Sequence, residues 1–210
     1  MTTVFLLSPA YCAGRRAAIA LRPGSQIPIA RQLQAGTATL GDAFSFFSGL
    51  YFRGKITYAR RFGATLDATL VITPTRGLQS PDSAITADLV REFAGVDISS
   101  GAVRYLEPLE RDLRALATRL PDTTRVVLLG SVASAKYVDI LMQRLGERIY
   151  FPPAFIGRGD MSRGGLLLRH AASGIELDYT ALEPGVRRRG PRPPRLDPNT
   201  RPPARQREAQ

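Results

Sequence analysis

The stretch RVVLLGSVASAKYVDILMQRL, residues 125–145, decides the fold class. Val126-Val127-Leu128-Leu129 is a short apolar run, the pattern of a strand buried on both faces. It ends in the small residues Gly130-Ser131-Val132-Ala133-Ser134, and a helix follows over residues 135–145. A strand, a tight turn of small residues and a helix make the repeating unit of a parallel sheet. Small residues at such a turn serve close strand-to-helix packing, and they also let the backbone approach a ligand.

The same unit recurs on either side. Residues 4–7 and 68–73 read as central strands, residues 149–151 as a fourth, and residues 103–106 as a short one. Helices are expected over residues 16–21, 29–33, 56–62, 83–93 and 107–120. Another helix carries Phe44, Phe46, Phe47 and Leu50 on a buried face and has Asp42 as its cap; Ser80 or Asp82 caps the helix over 83–93. Residues 152–165 are rich in glycine, proline and arginine and read as a loop. Beyond them, residues 166–170 and the alternating run 175–179 predict a C-terminal β-hairpin turning at Gly174. The expectation is one α/β domain over residues 1–183, a mainly parallel three-layer sheet. A disordered tail follows over residues 184–210, whose proline and arginine cannot bury enough surface to offset their ordering entropy.

Composition removes several classes. One cysteine, Cys12, and one histidine, His170, rule out an internal disulfide and a multi-histidine or cysteine-rich metal centre. Neither a metal nor a cofactor is therefore expected. No apolar run is long enough to span a membrane, and Met1-Thr2-Thr3 lacks the basic start of a signal peptide. A cytoplasmic location is the expectation. The formal charge is +11, and the tail contributes eight arginines against Asp197 and Glu208. Such a chain favours anionic partners. All but Lys55 and Lys136 of the basic residues are arginine, whose planar fork suits phosphate.

In doubly wound sheets ligands collect beyond the carboxyl ends of the strands. Four strands here exit into Ser8-Pro9, Thr73-Pro74, Gly130-Ser131 and Phe151-Pro152. These loops supply Ser8, Cys12, Arg15, Thr75, Arg76, Ser131, Arg158, Ser162 and Arg163 as candidate binding residues. Cys12 reads either as a thiolate nucleophile activated by Arg15 and a helix start, or as a small packed residue. Arg53 and Lys55 flank Gly54 just before the helix expected at 56–62, an arrangement able to hold phosphate. Asp160 is the candidate catalytic group: Arg158 and Arg163 favour its ionised form, which is able to stabilise a cationic sugar or position water. It reads equally as a brace for its loop. Tyr11, Tyr51, Phe52 and Phe155 are available as platforms for a base.

The segments Ser48-Gly-Leu-Tyr-Phe-Arg-Gly-Lys-Ile-Thr-Tyr-Ala59 and Leu70-Val-Ile-Thr-Pro-Thr-Arg-Gly-Leu-Gln-Ser-Pro-Asp82 resemble bacterial domains carrying an "lFrgrrayA" run and a strand ending in "S-x-x-G-L-x-x-P". Leu7-Ser8-Pro9-Ala10 is similar to the start of the peroxide-stress YaaA-like proteins. The resemblance covers roughly the first 85 residues, and Thr73 stands where those domains often have serine. It implies a nucleobase-handling α/β fold and a nucleotide or nucleic-acid partner. Together with the loops it frames two expectations. One is an enzyme acting on a nucleotide or nucleic acid, with N-glycosidic chemistry at Asp160. The other is a nucleic-acid-binding or regulatory protein without catalysis. Oligomeric state is left open by the sequence.

Overall fold

The structure is a computed structural model that describes residues 2–63, 65, 68–99, 101–133 and 135–197. A six-stranded sheet runs in the order β3-β2-β1-β4-β5-β6, with β1 Thr3–Leu7, β2 Thr69–Ile72, β3 Leu78–Gln79, β4 Arg125–Leu129, β5 Ile149–Phe151 and β6 Thr180–Ala181. The four inner strands are parallel, and the short edge strands β3 and β6 are antiparallel to their neighbours. β1 pairs with β4 from Thr3–Arg125 to Leu7–Leu129 and with β2 through Phe5–Thr69 and Leu7–Val71.

Alternation along each strand feeds two apolar clusters. Phe5, Leu7, Val71, Val127 and Leu129 join one. It includes residues of α1 (Arg15–Ala20), α2 (Pro28–Ala35), α3 (Leu40–Ser48), α4 (Leu50–Phe62), α5 (Ala87–Ala94) and α8 (Asp160–Ser173). Leu6, Ile72, Val126, Leu128, Ile149 and Phe151 join the other, with α6 (Val103–Arg119) and α7 (Ala135–Leu145). The chain leaves β1 towards β2, then crosses back to place β4 on the other side of β1. That reversal is the topological switch point, and it opens a crevice beyond the ends of β1 and β4.

Several expectations are corrected. The loop and hairpin expected between 152 and 179 are instead the fourteen-residue helix α8, followed by an irregular segment. Gly164 and Gly165 read as loop formers, but Gly164 serves close helix packing. A Cβ on Gly164 would lie 2.6 Å from Leu50 O on α4, and one on Gly54 would lie 2.7 Å from Gly164 O. The two glycines face each other where α4 and α8 touch backbone to backbone. Among the described residues the run 175–179 has no strand partner: Leu177 N donates to Tyr58 Oη at 2.7 Å, Tyr58 and Tyr179 share a 2.6 Å hydroxyl contact, and His170 Nδ1 lies 2.8 Å from Ile175 O.

Elsewhere α4 begins at Leu50, so Arg53-Gly54-Lys55 lies inside a helix. Residues 103–106 open α6 because Tyr105 extends the buried stripe of Leu109, Leu113 and Leu116. Thr39 caps α3, accepting from Asp42 N at 3.1 Å. Thr86 caps α5, since residues 83–85 are held extended by Leu40 N to Ser83 O and Ile85 N to Ala38 O.

Residues 184–197 carry no helix or strand, yet they touch the body. Val186 packs on the second cluster and Leu196 on the first. Arg189 donates to Ala133 O at 2.9 Å and 3.1 Å. This part of the tail is laid against the domain rather than detached from it. The rest of the segment expected to be disordered, 198–210, falls outside the described residues. Among the described residues no helix is long and apolar enough to cross a membrane.

Candidate functional site

The ends of β1 and β4 stand side by side, as the Leu7–Leu129 pairing requires. Ser8 continues the ladder, its N–H donating to Leu129 O at 3.3 Å. In front of it is a cleft of about 660 Å³ lined by Ser8, Tyr11, Arg15, Ser131, Tyr137 and Asp160, with Arg16, Tyr51 and Lys136 completing its walls. Tyr11 is 75% exposed, an unusual position for a large ring.

Behind Ser8 lies Lys55, 1% exposed. Its Nζ donates to Ser8 O at 2.6 Å and to Ser8 Oγ at 2.9 Å. The Tyr51 and Phe52 rings flank it at 4.4 Å and 4.8 Å. Burial pulls the ammonium down to about 7; Asp160 opposes the shift and Arg163 adds to it. Tyr137 Oη donates to Ser131 O at 3.0 Å. Gly130 is pinched between these groups: a Cβ there would sit 2.9 Å from both Tyr137 Oη and Ser8 Cβ. Only glycine lets β4 end this close to Ser8.

The candidates from the sequence divide. Ser8, Arg15, Tyr51, Ser131 and Asp160 line the cleft, with Lys55 immediately behind. Asp160 opens α8 at the rim, its side chain 68% exposed and 3.4 Å from Arg163 Nη1. Arg163 itself does not line the cleft; it is buried beside the Tyr51 ring, donating to Phe155 O at 3.2 Å. Among the described residues the buried Tyr51 hydroxyl has no hydrogen-bond partner, and burial pushes its phenol well above the ordinary range.

Other candidates are elsewhere. Cys12 is 4% exposed with Sγ against Ala10 O, and burial pushes the thiol up to about 12. That is the reverse of an activated thiolate, so the packed alternative describes it. Arg53 sits exposed in the first turn of α4 and does not line the cleft. Thr75 and Arg76 both bond Glu92, Arg76 at 2.7 Å. They line a separate surface depression with Arg104, Arg111 and Arg114. The exit loop of β2 therefore folds onto itself, Thr73 Oγ1 donating to Gly77 O at 2.9 Å. Arg158 donates to Ala154 O, Ser162 Oγ and Pro194 O, so it ties its own segment to the tail, and neither it nor Ser162 lines the cleft. Of the four exit loops, those of β1 and β4 form the cleft, and the start of α8 after β5 closes its rim.

The residues the sequence reading passed over are Arg16, Lys136 and Tyr137. Lys136 and Tyr137 follow directly on the small-residue turn after β4, the position from which a helix start faces a switch-point crevice. No family model, no curated protein and no solved structure matches the chain.

Proposed function

We propose that the chain is an enzyme acting on a nucleotide, free or within a nucleic acid, bound in the cleft beyond β1 and β4. One observation carries this reading: an exposed aromatic ring, Tyr11, shares the cleft with the cations Arg15, Arg16 and Lys136. A ring stacks a base, worth roughly 1–3 kcal/mol, and the cations take the phosphate through charge-assisted hydrogen bonds. The resemblance of the first segments to nucleobase-handling domains points the same way, and the two apolar clusters on opposite sheet faces support a three-layer α/β scaffold of that kind.

A calorimetric titration with nucleoside monophosphates and the matching nucleosides tests it. Monophosphates are expected to bind at least about tenfold tighter than nucleosides, a difference of roughly 1.4 kcal/mol. Tyr11→Ala is expected to weaken both, and Arg15→Ala combined with Lys136→Ala only the monophosphates. Absence of binding by monophosphates, dinucleotides and short oligonucleotides alike overturns the reading. In its N-glycosidic form, Asp160 at the rim faces the sugar; Asp160→Asn then removes turnover and leaves binding in place, and full turnover in that variant refutes the role.

The non-catalytic alternative rests on the tail arginines. It predicts nucleic-acid affinity that falls steeply with salt and that is lost when residues 184–210 are removed.

A further inference from the structure

Lys55 is a buried lysine with no carboxylate among its described bonds; both of its hydrogen bonds go to Ser8. Ser8 in turn has Lys55 behind it and the cleft in front. Glycine at 130 leaves the room in which Ser8, Tyr137 and the end of β4 crowd together. Ser8 Oγ has a further acceptor, Leu129 O, at 3.4 Å. The cleft it lines carries Arg15, Arg16 and Lys136, groups suited to the non-bridging oxygens of a phosphoryl group.

We propose that Ser8 and Lys55 are a nucleophile and its base, acting on a phosphoryl group held in this cleft. The proposal takes its ligand class from the nucleotide reading above; the pairing of the two residues stands on geometry alone. Burial keeps a large fraction of Lys55 neutral near neutral pH, and a neutral amine 2.9 Å from a hydroxyl is placed to take its proton. As Nζ accepts that proton, Oγ forms a bond to phosphorus and the bond from phosphorus to the leaving oxygen breaks. The ammonium returns the proton to the leaving oxygen. Water then attacks the serine phosphoester; its proton passes through Lys55 to Ser8 Oγ as the Oγ–P bond breaks. The sum is a phosphoric ester or anhydride plus water giving phosphate and the released alcohol or phosphate, with Ser8 and Lys55 restored.

The test is labelling of the full chain with an alkyl fluorophosphonate, read by peptide mass spectrometry. Attack on phosphorus expels fluoride and leaves the phosphonyl group on Ser8. The expected result is an adduct on Ser8 alone. Its rate climbs with pH through an inflection near 7, where Lys55 loses its proton, and then levels off. Ser8→Ala is expected to abolish the adduct, and Lys55→Met to slow it at least about a hundredfold with the far-ultraviolet spectrum retained. No adduct on the wild-type protein, an adduct elsewhere, or a rate without that inflection overturns the pairing; because these read on the wild-type chain, a misfolded Lys55 variant does not rescue it. Titration with nucleoside monophosphates runs in parallel. Nucleotide binding without labelling sinks the dyad and spares the nucleotide reading; labelling without nucleotide binding does the reverse.

Discussion

Lys55 shows how one residue's position changes its chemistry. On the surface a lysine is a solvated cation; here it sits between two aromatic rings and a serine, and burial favours the neutral amine. The sign of the resulting pH dependence is fixed. Below about pH 7 both folded and unfolded chains hold the Lys55 proton, so no slope arises. Between there and the ordinary lysine value near ~10.4 the unfolded chain holds a proton that the folded one has released. Stability therefore rises with pH across that window and is lost as pH falls through the folded value. Urea midpoints of wild type and Lys55→Met, compared at pH 6, 7.5 and 9, are expected to move in favour of wild type as pH rises. A constant difference would mean that Lys55 stays charged in the folded protein. The sequence named Lys55 and Ser8 separately, because nothing local joins residues 47 positions apart.

Helix α8 is the element whose reading changed most. Gly157, Gly159, Gly164 and Gly165 near one another, with Arg158 and Arg163, carry the local signature of a loop. Glycine is unfavourable inside a helix by roughly 1 kcal/mol relative to alanine. That penalty is outweighed because Gly164 lets α8 lie directly on the backbone of α4. The two neighbouring glycines consequently differ in sign. Gly164→Ala puts a methyl group against Leu50 O and is expected to destabilise by about 2–3 kcal/mol, as overpacking does. Gly165→Ala meets only the end of Leu196 at 3.8 Å and is expected to stabilise by roughly 0.5–1 kcal/mol through helix propensity. Thermal unfolding of the two variants decides this, and equal effects would remove the backbone contact from the explanation. The same contact brings Asp160 on α8 to the rim and sets Arg163 beside Tyr51 of α4, so a packing glycine also shapes the cleft.

At the scale of the molecule, strand order places the cleft. Because β4 returns to the far side of β1, the turns after residues 7 and 129 meet, although they are 122 positions apart in sequence. The tail adds a second long-range feature. Val186 and Leu196 press on opposite clusters, and Arg158 and Ala133 hold the backbone and side chains between. Removing residues 184–210 is expected to lower stability by about 2 kcal/mol, the scale of two partly buried aliphatic side chains, and the melting temperature by roughly 4–8 °C. Nucleotide binding in the cleft should survive, since the described tail residues do not line it. A truncated chain that melts unchanged would show that these contacts contribute nothing.

The sequence by itself determined the strands and helices whose signals are local. Four apolar runs gave the inner strands, the turn of small residues after β4 gave the α/β unit, and amphipathic spacing gave most of α6 and α7. It also put Ser8, Ser131 and Asp160 at strand exits, because side-chain chemistry and turn composition are written in neighbouring residues. Only the tertiary structure decided which of those exits meet, that Arg76 is taken up by Glu92 while Lys55 is drawn beneath Ser8, and that a glycine-rich stretch is a helix. Each of these depends on what a distant segment offers as a partner: a carboxylate, a hydroxyl, or a bare backbone close enough to pack against. A chain's local pattern states what each residue prefers, and burial against a remote neighbour decides which preference prevails.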